Sequence, residues 1–209
     1  GRRCAWPLHA VAPRWRPATD GGLKAQGFRA VSGRRLPAGR YRARVPGAAA
    51  AKSGSGLNDI DVPDFYRGPL KMSGIPMTSG SAAQAPTAAP KDSFAQMLPA
   101  PRSTLREFTR GEEIALFAEF YENAAGAPAH SFDITTTIRA DDGRVVFENR
   151  EQRSSTDLQG GRGGYGYAAR LSTLEFAPVA YLVRVVGVSP LDARPPGTGR
   201  GLRCPVRLW

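Results

Sequence analysis

Between Ser103 and Trp209, apolar and polar residues alternate in short runs, the period of strands that bury one face. Residues 113–122, EIALFAEFYE, put Ile114, Leu116, Ala118 and Phe120 on one face and Ala115, Phe117 and Tyr121 on the other. Both faces are apolar, so this strand is expected at the centre of a sheet. Residues 132–140 alternate Phe132, Ile134 and Ile138 with Asp133, Thr135, Thr137 and Arg139, and Asp142-Gly143 then predicts a tight hairpin into residues 144–150. Strands follow at 165–171, 180–188 and 202–209, the last with Leu202, Cys204, Val206 and Leu208 on one face. Six strands joined by turn signals predict an all-β fold, an immunoglobulin-like antiparallel β-sandwich over residues 103–209. Its expected core is Ile114, Leu116, Phe120, Ile134, Ile138, Val145, Phe147, Tyr181, Val183 and Val185.

Upstream, Pro37-Ala38-Gly39 precedes Tyr41, Ala43 and Val45 at period two, with Arg40, Arg42 and Arg44 opposite. A turn is expected at Lys52-Ser-Gly-Ser-Gly, followed by a strand that alternates Ile60 and Val62 with Asp59 and Asp61 until Pro63 ends the ladder. Residues 36–66 are thus a β-hairpin, and two strands alone cannot bury enough surface to be stable. A shift of 140 residues superposes Tyr41, Arg44 and Val45 on Tyr181, Arg184 and Val185, each group behind a Pro-containing turn (Pro37, Pro178). The repeat makes the hairpin the partial remnant of a preceding sandwich, in a tandem arrangement. Residues 67–102, with SGSAAQAPTAAP at their middle, are expected to be a Pro/Ala/Ser-rich linker.

Charge changes the picture at one end only. The formal net charge is +11, and residues 1–52 hold twelve Lys and Arg against Asp20 alone, so the remainder is neutral. Residues 1–35 have neither helical nor strand periodicity and are expected to be a disordered basic segment. Their Arg, Ala, Gly and Pro also arise when GC-rich DNA is read out of frame. Such a segment is a solvated tail or, alternatively, an arm for nucleic acid or an anionic surface. The apolar run Ala5 to Val11 is broken by Pro7 and His9, so it is not a signal peptide, and no stretch approaches the roughly 20 apolar residues of a membrane-spanning helix. The 24 Gly and 18 Pro favour turns and strands, the start lacks Met, and a fragment of a longer protein is expected. Cys4 and Cys204 are too few and too far apart to make a disulfide framework.

Motifs of known chemistry do not survive their context. Gly161, Gly163 and Gly166 match G-x-G-x-x-G, but a dinucleotide site needs a buried strand before the motif and a helix after it, whereas an alternating strand follows here. Asp59, Asp61 and Asp64 form D-x-D-x-x-D, most simply the polar face of an edge strand, and Asp141 and Asp142 are turn formers. His9 and His130 have no cysteine or second histidine at zinc-ligand spacing, and no serine context supports a triad on His130. No catalytic, cofactor-binding or metal-ligating residue is assigned, no cofactor is expected, and the protein is expected not to be an enzyme.

LPAGRYRARV, LNDIDVPDF and GPLKMSGIPMTS, then the spacer, TLREFTRGEEIALFAEFYEN and RADDGRVVFE, together resemble the C-terminal half of bacterial von Willebrand factor A-related proteins over residues 36–190. In that family an A domain precedes β-sandwich modules. The resemblance implies a non-enzymatic spacer or protein-interaction module and an extracellular or periplasmic location. The A domain's Asp-x-Ser-x-Ser metal motif is absent from this chain, so metal-dependent adhesion does not carry over. Residues 195–209 depart from the family pattern and suggest a second out-of-frame segment. Partner contacts are expected on loops 122–130 and 154–164.

Overall fold

The computed structural model describes residues 28–31, 33, 35–49, 52–88, 96–123, 126–157, 164–191 and 200–208. The chain is mostly β, with several antiparallel sheets. In chain order the strands begin with β1 (Arg29–Ala30), β2 (Gly39–Ala49), β3 (Lys52–Val62), β4 (Leu70–Met72) and β5 (Met77–Ser79). A single helical turn, α1 (Gly80–Gln84), then leads to β6 (Thr87–Ala88) and β7 (Glu107–Phe108). The long strands follow: β8 (Glu113–Glu122), β9 (Ser131–Ala140), β10 (Val145–Ser154), β11 (Gly164–Ser172), β12 (Ala180–Val188) and β13 (Arg200–Leu208).

One sheet has the order β10-β9-β12-β13-β7, antiparallel except where β7 runs parallel to β13. In the other, β8 is central: β11 lies on one edge, and β4 and β5 lie one after the other along the other edge. The central position predicted from the two apolar faces of residues 113–122 is the observed one. Ile114, Leu116, Ala118 and Phe120 point inward to meet Phe132, Ile134 and Ile138 of β9, Val183 and Val185 of β12, and Val206 and Leu208 of β13 in one buried cluster. Thr136 is also fully buried, and its hydroxyl lies 2.6 Å from the Tyr167 hydroxyl of the opposite sheet, which satisfies both groups. The sheets approach closely at Gly187, where an added Cβ would fall 2.5 Å from Cε1 of Phe120. On the outer face of β8, Ala115 and Phe117 are covered by Leu98. An added Cβ on Gly166 would sit 3.1 Å from the Phe117 ring.

Several expectations are corrected. Residues 67–102 are not simply a linker: Leu70 and Met77 are 1 % and 0 % exposed and pair with β8 through β4 and β5. Their apolar runs, broken by Gly74 and Pro76, are too short to show a period in the sequence. Val145 is 41 % exposed and Phe147 only partly buried, because β10 is an edge strand and its register shifts between these two residues. Lys52 to Gly56, expected as a turn, are instead paired with β2 as the start of β3. Within the segment expected to be disordered, Arg29 and Ala30 pair with Thr87 and Ala88; residues 1–27, 32 and 34 lie outside the described residues. Residues 200–208, within the 195–209 segment expected as out of frame, form β13 between β12 and β7, with Val206 and Leu208 buried.

Candidate functional site at the loop end

The pairing brings three connections to one end of the two sheets. Gly164 stands opposite Tyr121, Ser154 opposite Ser131, Val188 opposite Asp133 and Arg200 opposite Gly187, so the loops after β8, β10 and β12 share that end. Leu70 pairs with Glu122, so the chain coming from the hairpin also arrives there.

A buried polar cluster ties these connections together. Glu122 continues the inward parity of Ile114 to Phe120, His130 precedes the inward set that begins at Phe132, and Ser189 continues Tyr181, Val183 and Val185. Each is thus an inward-facing position at or just past the end of its strand. The Glu122 and His130 side chains are 1 % and 13 % exposed, with Nε2 3.0 Å from Oε2. Ser189, 2 % exposed, donates its hydroxyl to Glu122 Oε1 at 2.5 Å and accepts the Leu191 amide at 3.2 Å. His130 Nδ1 lies 3.0 Å from the Pro128 carbonyl, which only accepts, so Nδ1 carries a proton. The Pro128 carbonyl and then the Glu122 carboxylate raise the imidazole pKa above its ordinary value, outweighing partial burial. The His130 amide donates to Ser155 Oγ at 3.0 Å and the Ser155 amide to the His130 carbonyl at 2.8 Å, which fastens the turn after β10 to the same point.

The approach from the hairpin is equally well held. Asn123 Nδ2 donates to the Phe65 and Gly68 carbonyls at 2.7 and 2.9 Å, and the Phe65 ring lies 4.8 Å from that of Tyr121. The Tyr121 hydroxyl donates to Glu119, and burial followed by that carboxylate pushes its pKa up. Across the sheets, the Arg153 guanidinium stands 5.1 Å from the centre of the Tyr165 ring, which packs edge-on against Phe132 at 5.6 Å.

In chemical terms the carboxylate lies between hydroxyl and imidazole. The Ser189 hydroxyl donates to Glu122 and not to the imidazole. The three side chains tie the ends of β8 and β12 to the residue before β9. The residues weighed for chemistry in the sequence are dispersed. Asp59 makes a bidentate pair with Arg42 at 2.7 and 3.0 Å, Asp61 stands opposite Arg40, and Asp64 accepts the Tyr66 amide. Asp142 accepts the Arg144 amide in its turn. Gly166 lies within β11, while Gly161, Gly163, His9 and Cys4 lie outside the described residues. Cys204 is half-buried, its Sγ 3.1 Å from Arg106 Nε and 3.6 Å from Met77 Sδ. Among the described residues no group of three His, Cys, Asp or Glu is placed to hold a metal ion. The Glu122, His130 and Ser189 cluster was not assigned from sequence. Its available signal was parity, since a carboxylate in the inward register of an apolar strand demands a partner.

No protein-family model matches the chain, and no curated protein matches it.

Proposed function

We propose that residues 70–208 form an immunoglobulin-like sandwich that is not an enzyme. In this reading it spaces or presents a neighbouring domain and takes a protein partner on its loop end. The observation that carries the reading is the strand order: β4 and β5, β8 and β11 against β10, β9, β12 and β13, with β7 added parallel to β13. It is supported by Tyr181, near the start of β12, whose hydroxyl donates to the Ala177 carbonyl 2.9 Å away and four residues upstream, the corner found where that fold crosses between its sheets. Such folds bind partners through loops gathered at one end. The resemblance to von Willebrand factor A-related proteins agrees with a presenting role and an extracytoplasmic place.

The test is site-specific photo-crosslinking in cells that produce the protein. Crosslinkers at Ala127 and Thr156, exposed at the loop end, are expected to capture another protein, and crosslinkers at Asp141 and Glu175, exposed at the opposite end, are not. Capture at both ends or at neither overturns the reading. A second reading rests on the twelve basic residues among residues 1–52, which suit an anionic surface or nucleic acid. It is favoured instead if the chain binds DNA or anionic vesicles with a steep salt dependence that vanishes when residues 1–35 are removed.

A further inference from the structure

The hairpin of β2 and β3 repeats the geometry of β12 and β13. The Tyr41 hydroxyl donates to the Pro37 carbonyl at 2.8 Å, the same four-residue span as the 2.9 Å bond from Tyr181 to Ala177. Tyr41 stands opposite Ile60 as Tyr181 stands opposite Val206. The surroundings differ. Val183 and Val185 are 1 % and 0 % exposed because β9 pairs along the free edge of β12 and the second sheet covers its face. Val45 and Ile60 of the hairpin are 69 % and 37 % exposed, and among the described residues neither β2 nor β3 pairs with a third strand.

Charge narrows the choice of occupant. The opposite face of β2 carries Arg40, Arg42 and Arg44. Asp61 and Asp59 stand across from the first two, whereas Arg44 stands opposite Leu57 and reaches Ser55 Oγ at 3.2 Å. A second copy of β2 laid antiparallel on this edge would set arginines against arginines, and like charges directly opposite destabilise a sheet. An acid facing Arg44 would neutralise the surplus.

We propose that the outer edge of β2 accepts an added strand from another polypeptide, antiparallel, apolar opposite Tyr41, Ala43 and Val45, and acidic opposite Arg44. This strand would play the part that β9 plays for β12, where Ala140, Ile138 and Thr136 face Tyr181, Val183 and Val185 and Thr137 faces Arg184. The mode is β-strand addition: main-chain hydrogen bonds hold the strand, and alternate side chains select it.

The probe is a ten-residue copy of β9 carrying Thr137→Glu, fused ahead of Gly1 of the full chain so that residues 1–38 tether it. Hydrogen exchange is then followed at the amides of residues 40–45 and 47, Pro46 having none. The fused copy is expected to slow exchange there by about tenfold or more. A control copy with Phe132→Ser, Ile134→Ser and Ile138→Ser is expected to give none of this protection, and a copy with Thr137→Lys less of it. If the amides of β12 stay protected and those of β2 are unchanged by the fusion, the proposal is overturned. Equal protection by the control copy overturns it too. Concentration-dependent protection of the same amides in the unfused chain would place a second copy on the edge and also overturn it. None of these results depends on what the loop end binds.

Discussion

Phe120 fills the space between the two sheets because Gly187 opposite it has no Cβ. Phe120 is 0 % exposed, so its ring has nowhere to move if a methyl group arrives 2.5 Å from Cε1. Gly187→Ala is expected to destabilise the fold by about 1–3 kcal/mol, as overpacking does. Denaturant unfolding would read this as a lower midpoint at unchanged slope, and an unchanged midpoint would contradict the contact. At His130 the expectation concerns pH. Its folded pKa is raised by the Pro128 carbonyl and by Glu122. A raised histidine stabilises fully below its unfolded value of about 6.5, and that contribution is lost as pH rises through the folded value. Melting midpoints of the native chain and of His130→Gln should therefore differ most at about pH 6 and converge above the folded pKa. A gap that widens toward alkaline pH would reverse the assignment. His130 was visible in the sequence as one of two histidines, but Glu122 could not be named as its neighbour because alternation does not specify the path of the loop between them, and Phe120 could not be named as the neighbour of Gly187 because the two lie in distant strands.

At the scale of elements, the strands readable in the sequence were those long enough to show their period. Residues 113–122 display two apolar faces over ten residues, and the strand takes the central place that such a pattern requires. β4 and β5 are three residues each, less than two full alternations, and were hidden within a segment whose composition suits a linker. They nevertheless cover the edge of β8 and bury Leu70 and Met77. A chain beginning at Gly68 is expected to keep one cooperative thermal transition. One beginning at Ser103 loses both strands, and each lost Leu or Met side chain costs about 2–5 kcal/mol, comparable in sum to a domain's whole stability. It should therefore melt without a cooperative transition or fail to fold. Equal melting of the two chains would return residues 67–102 to the role of a linker.

Across the whole molecule, the sequence by itself determined where β8, β9, β11, β12 and β13 run and which residues of β8, β9 and β12 face inward, because alternation is a local property of the extended backbone. It also located the positive charge and the repeat that relates Tyr41 to Tyr181, whose hydroxyls make matching four-residue bonds. Only the tertiary structure decided which strands are neighbours beyond the two hairpins β2–β3 and β9–β10, that β7 lies parallel to β13, and that β13 stands inside its sheet. It alone brought Glu122, His130 and Ser189 together, although each obeys the inward parity of its own strand. The reason is that parity assigns a side chain to a face but carries no information about the partner across it. Partners are chosen by pairing between segments dozens of residues apart, where the free energy of closing the intervening loops is set against the burial gained by the assembled sheets.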